Sequence, residues 1–163
     1  MHALKKPLAL AGVALASAAL LAPIAEAKPK EHTLRFYSVV DRAGFYNSAG
    51  KAINVNPPST LPSAGDVFDE VDSDFVGREK HHARKATASD HLRCTFTGAN
   101  AATCELQIAV DGSMLIVNKF GFTLSDYQVL KLSEGTGAFA GDHGTIAIAD
   151  LPNNNANLVI KVS

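Results

Sequence analysis

Few residues in this chain are placed to do chemistry, and they are scattered. Glu70 and Asp72 follow Phe68 at spacings of two, so in an extended segment all three share one face. Solvent exposure is the simpler reading of these two acids. Turned inward, a carboxyl held against apolar surface has its pKa raised and can give or take a proton. Asn118 is the polar member of a face otherwise made of Met114, Ile116, Phe120 and Phe122. If that face is interior, Asn118 needs a partner: backbone, an ordered water, or a ligand that it orients.

Other candidate chemistries are weaker. His81 and His82 are adjacent, so on a strand they point to opposite faces and cannot readily share one metal. His91 and His143 join them only if folding brings them together, so the expectation is solvated histidines and no metal. Gly135-Thr-Gly-Ala-Phe-Ala-Gly141 has the glycine density of a phosphate cradle. It lacks the P-loop lysine, and no helix comes after it to supply amides. It reads better as positive-φ positions at a tight corner. No Gly-x-Ser-x-Gly or His-Glu-x-x-His occurs, so no motif assigns a catalytic residue.

Cys94 and Cys104 are the only cysteines. An oxidising compartment favours pairing them, and facing residues of an antiparallel hairpin lie close enough to bridge. The competing idea, a catalytic thiol, suits poorly a cysteine with a partner ten positions away.

The elements that must hold these residues are short strands. Thr33–Val40 alternates, with Leu34, Phe36, Ser38 and Val40 on one side. Residues 41–64 carry two glycines and three prolines, which reads as a long connection. A second strand starts at Gly65-Asp-Val-Phe68 and extends toward Phe75. Ala88–Thr97 and Cys104–Val110 come next, joined through Gly98-Ala-Asn100. Asp111-Gly112 is a two-residue hairpin signature leading into Ser113–Phe122. Tyr127–Leu132, Thr145–Ala149 and Leu158–Val162 complete about eight strands. Such a pattern means a sandwich or a closed antiparallel barrel. Leu115-Ile-Val117 is apolar on both faces, which suggests a subunit contact. The acidic run Asp66–Asp74 precedes a basic run from Arg78 to Lys85, with Arg93 beyond, and the two blocks are placed to pair across a hairpin.

The first 27 residues are expected to be removed. Lys5 and Lys6, an apolar run to Ile24, and Ala25-Glu-Ala27 together read as a signal peptide. A membrane anchor fits less well, because the run is alanine-rich and ends at a cleavage-like site. The expected mature chain is therefore secreted or periplasmic, without a stable membrane span. Its two parts are residues 28–64, the first strand and its loop, and residues 65–163, the rest of one domain. Cleavage takes the formal net charge from −1 to −2, because two lysines and one glutamate leave. Such near neutrality argues against a nucleic-acid partner.

Gly65-Asp-Val-Phe68, the Cys94–Cys104 hairpin, Asp111-Gly112 and above all Gly135-Thr-Gly-Ala-Phe-Ala-Gly-Asp-His-Gly-Thr145 resemble the allene oxide cyclase barrel and the related dirigent proteins. The resemblance runs over about residues 65–151, and more faintly 33–41. It implies an all-β, calycin-like, eight-stranded antiparallel barrel around a largely apolar cavity, often a dimer or trimer. It also implies a small lipophilic ligand and no cofactor. Plant cyclases of this family close a ring using a first-strand glutamate and an asparagine. On Leu34–Asp41 those positions hold Ser38 and Val40, so the plant reaction does not transfer directly. Dirigent proteins guide coupling with pocket acids, and Asp72 falls near such an acid. The expected ligand-contacting set is Ser38, Glu70, Asp72 and Asn118. A non-catalytic carrier or envelope protein is the alternative function, and a protein-interaction barrel is a third.

Overall fold

The computed structural model describes residues 31–55, 61–121 and 126–163. The expected leader 1–27, and Pro57, Pro58 and Phe122, lie outside the described residues. Among those described, the chain is all-β apart from one 3-10 turn, Gly137–Phe139. The strands are β1 (His32–Tyr46), β2 (Ala52–Ile53), β3 (Val67–Arg78), β4 (His81–His82), β5 (Ala88–Gly98), β6 (Ala101–Val110), β7 (Ser113–Gly121), β8 (Tyr127–Lys131), β9 (Glu134–Gly135), β10 (Gly144–Asp150) and β11 (Ala156–Val162).

One antiparallel sheet runs β8-β10-β11-β1-β3-β5-β6-β7-β9, with β2 and β4 as two-residue offshoots of β1 and β3. The expected eight strands are thus nine along the main path. Only two residues separate β8 from β9, yet these two strands stand at opposite ends of the strand order. The sheet therefore curls until its ends approach. Among the described residues the seam is short: Leu115 faces Gly135, Ile116 faces Glu134, and the Ser133 amide donates to the Ile116 carbonyl. The architecture is a curled sheet closed over a few residues, in place of a cylinder paired along its whole length.

The alternation that predicts the strands also sets the core. In β6 every even-numbered residue from Ala102 to Ile108 is buried and every odd one from Ala101 to Ala109 is exposed. Phe36, Ile108, Leu115, Ile146 and Ile160 pack together inside the curl. Cys94 and Cys104 face each other directly across β5–β6 and are bonded, with Cα atoms 4.0 Å apart. Both are buried beneath Phe68, Leu92, Phe96 and Phe120. Replacing both cysteines by alanine should cost about 3 kcal/mol or slightly less, from the loop-closure entropy of so short a loop. Equilibrium urea denaturation checks this, and an unchanged midpoint would contradict it.

Two bulges depart from the expected pattern. The first strand does not stop at Val40 but continues to Tyr46, across a register shift between Val40 and Arg42. Alternation breaks at Asp41 because the bulge moves the inward positions from even to odd numbers. Phe45 thereby faces Phe68, with ring centroids 4.9 Å apart. In β7 the inward residues are Ser113, Leu115 and Val117, and a bulge at Lys119 (φ 51°) returns Phe120 to the same side. The expected inward face of Met114, Ile116 and Asn118 is therefore the outer one.

The glycine-rich connection is structural. Gly137 takes φ 60° against the Ser113 side chain, whose Oγ accepts from the Ala138 amide. Gly144 sits so close to the Lys161 carbonyl that a Cβ there would overlap it. Gly144→Ala should destabilise by about 1–3 kcal/mol through this overlap. A thermal melt within error of the parent would show that the ladder there is looser than this close approach requires.

Candidate active site

The register of three neighbouring strands assembles the site. Ser38 faces Asp74 across β1–β3, and Asp72 faces Asp90 across β3–β5. All four side chains are buried, Asp74 completely. Like charges placed opposite each other on a sheet repel, so this arrangement holds only if protons are shared.

Ser38 Oγ lies 3.0 Å from Asp72 Oδ2 and 3.0 Å from Asp90 Oδ2. A hydroxyl has one proton to donate. It can donate to only one of these carboxylates. When both bonds are made, the other carboxyl is protonated and donates to Oγ. The trio is therefore a proton-sharing unit with Ser38 in the middle. Neither Asp74 oxygen nor Asp72 Oδ1 receives a hydrogen bond from a standard donor. Ser38 and a protonated Asp90 are the neighbours able to donate to Asp74.

Burial dominates the electrostatics. Asp90 is pushed up to about 9, first by desolvation, then by the charges of Asp74 and Asp72. Asp72 rises to about 6 by desolvation, held back by its hydrogen bond to Ser38. Asp74 is also raised, by desolvation above all. Glu70 rises to about 7, by desolvation and then by Asp72 and Asp150. Asp150 is raised by desolvation and by Asp126. Acids poised near neutrality in one place can exchange protons with a bound molecule.

Of these groups, Ser38, Glu70, Asp72, Asp90 and Asp150 border a cavity of about 420 Å³, and Asp74 does not. One wall is apolar: Phe68, Leu92, Leu106, Phe120, Ile148 and Leu158. The other carries Ser38, Glu70, Asp72, Asp90, Asp126 and Asp150. Asn155 stands at its edge and donates to the Tyr37 hydroxyl at 2.7 Å. The cavity is largely apolar, as expected, but five carboxyl groups, from Glu70, Asp72, Asp90, Asp126 and Asp150, interrupt its apolar lining.

Of the expected ligand-contacting residues, Ser38, Glu70 and Asp72 come together here. Asn118 does not: it is exposed on the outer face, and its backbone N–H donates to Ser133 Oγ. Asp74, Asp90, Asp126 and Asp150 are not among the expected residues. Asp74 shares the spacing of Phe68, Glu70 and Asp72, and Asp90 that of Leu92 and Cys94, so period two extended by one step finds both. Asp126 and Asp150 arrive from distant strand ends and have no local signature.

The other candidates are engaged elsewhere. His82 packs tilted against Tyr37 and edge-on to Phe75, at 4.8 and 5.5 Å between ring centroids. His91 contacts Asp69 on the outer face, where Arg93 and Arg42 also reach it. The charge blocks thus meet only at Asp69 among the described residues, and the basic run 78–85 contributes no ion pair there. His143 exchanges backbone hydrogen bonds with Ser163.

No family model matches the chain, and no curated protein matches it. Solved structures do. A structure titled pyocyanin demethylase matches with a TM-score of 0.58 at 19% identity, over 81% of this chain and all of that one. The pterocarpan synthase dirigent protein PsPTS1 matches with a TM-score of 0.56 at 16% identity, covering 82% of this chain and 93% of that one. A second such protein, GePTS1, matches with 0.53 at 19% identity, over 82% and 88%. The chain has the barrel-like fold of these proteins. At such identities the likeness is one of fold alone.

Proposed function

We propose that this chain is an exported ligand-binding barrel that takes a small lipophilic molecule and guides its cyclisation or coupling without a cofactor. The observation that carries the reading is the 420 Å³ cavity, in which an apolar wall faces the proton-sharing Asp72–Ser38–Asp90 unit. The apolar wall would hold the ligand in a reactive conformation. Asp90, protonated at neutral pH, is the proton donor of the unit, and Asp72 is its acceptor. Ser38 passes the proton between them. Carboxyls from β3 and β5 thus surround Ser38, where the plant cyclases place a glutamate on the first strand. The likeness in fold to two pterocarpan synthase dirigent proteins supports a shape-guided reaction.

A carrier on the same scaffold would use the same wall and leave the acids idle. The bonded cysteines suit a secreted or periplasmic site. Tyr127 and Val129, exposed on the outer face of β8, would be the place for a second copy in a dimer or trimer. Native mass spectrometry of gently purified protein tests the ligand reading. An organic adduct is expected, and Ala156→Phe, which fills the cavity, should remove it. An adduct equally abundant in both proteins, or none after incubation with lipophilic extracts, would sink it. Conversion of the recovered compound by the parent, but not by Asp90→Asn, separates enzyme from carrier.

A further inference from the structure

The cavity's charge is one-sided. Six carboxyl groups stand in or directly behind its polar wall: Glu70, Asp72 and Asp74 from β3, Asp90 from β5, Asp126 before β8, and Asp150 at the end of β10. Asp41, further along β1, adds to the field at Asp72 and Asp74. Among the described residues, no lysine, arginine or histidine lines the cavity. Arg42, the next residue after Asp41, reaches Asp69 on the outer face instead. Buried carboxylates in proteins are normally matched by a cation or by several donors. Here Asp72 Oδ1 has no such match, and Asp72 borders the cavity while only 6% exposed.

We infer that the cavity's ligand is a lipophilic cation, such as a heteroaromatic cation or a protonated amine with an apolar body. The inference rests on the ligand-binding reading and adds the charge of the ligand to it. The positive centre would stand against Glu70 and Asp72, supplying the missing counter-charge. The apolar body would lie on Phe68, Phe120 and Leu158. Such a ligand stabilises the ionised acids and so lowers their proton affinity. Binding near neutral pH must then release protons. An uncharged ligand of the same shape releases none, and an anionic one takes them up.

The test uses three planar probes of similar size: N-methylacridinium, anthracene-9-methanol and anthracene-9-carboxylate. Affinities are read by probe fluorescence at pH 8 and pH 5.5. Calorimetry at pH 7 in buffers of different ionisation enthalpy counts protons. The cation should bind at least tenfold more tightly than the neutral probe at pH 8, with the carboxylate weakest. That preference should shrink at pH 5.5, with proton release seen for the cation only. Glu70→Gln should lower cation affinity several-fold and leave the neutral probe unchanged. If the neutral probe or the carboxylate binds as tightly as the cation at pH 8, the inference falls and the ligand-binding reading stands. If no probe binds, and Ala156→Phe changes nothing for any of them, both fall together.

Discussion

Raising the pH from about 5 to about 8 should destabilise the folded chain by several kcal/mol, the opposite of what salt-bridged acids produce. In the folded state the acids have raised pKa values, so it binds protons more tightly than the unfolded chain does. Below the unfolded values both states are protonated and the acids contribute nothing. As pH climbs from there toward the folded values, the unfolded chain ionises first and gains. Asp72, raised from 3.8 to about 6, accounts for about 3 kcal/mol once fully ionised, roughly half of it lost above pH 5. Glu70, raised to about 7, titrates within the window, while Asp90, raised to about 9, stays protonated across it as its unfolded counterpart is ionised; both act with the same sign. Urea denaturation at the two pH values measures the loss. Asp90→Asn keeps the shape and removes the ionisation. It should flatten the pH dependence and leave the variant more stable than the parent at pH 8, by about 1–3 kcal/mol. A parent whose stability is constant or rising over this range would mean that the acids are ionised and solvated.

Ser38→Ala should destabilise the chain by about 1–3 kcal/mol at pH 8, because buried carboxyl oxygens lose their neutral partner. The cost should be smaller at pH 5. There Asp72 is largely protonated, and it can bond to Asp90 directly, carboxyl to carboxyl. The Ser38 hydrogen bond holds both acids down. Its removal should therefore move the Asp72 titration upward, as tracked by carboxyl carbon chemical shifts. Equal costs at both pH values, with an unmoved titration, would show that the hydroxyl serves packing alone. The sign of this experiment also bears on mechanism. A serine that relays protons must make its bonds to both acids at once, and only a protonated member permits that.

Features set by neighbours in the chain were legible from residue order. Asp111-Gly112 forms the expected turn, with φ of 48° and 76°, because few other residue pairs tolerate two positive values in succession. Cys94 and Cys104 face each other because one short hairpin joins them. The alternation of β6 is complete because its inner face is core and its outer face is exposed. Failures begin where one extra residue slips into a strand. The bulges at Asp41 and Lys119 each exchange inside and outside along their own strand, so that Asn118 lies at the surface and β1 runs beyond its expected end. A bulge is decided by the partner strand, so no pattern within the bulged strand announces it.

Residue order determined most of the strands, the bonded hairpin and the shared face of Phe68, Glu70 and Asp72, since relative side-chain direction along an extended chain depends only on parity; that this face turns inward, against the simpler expectation of exposure, it did not determine. The tertiary structure decided that Ser38, Asp72, Asp74 and Asp90 meet, and that the sheet curls into a partly closed wall around an acid-lined hollow. The reason is register: which residue of β1 stands beside which residue of β3 and β5 depends on the curl of the whole sheet. The proton affinities arise from that meeting, because a carboxyl has an ordinary pKa until other carboxyls are buried beside it.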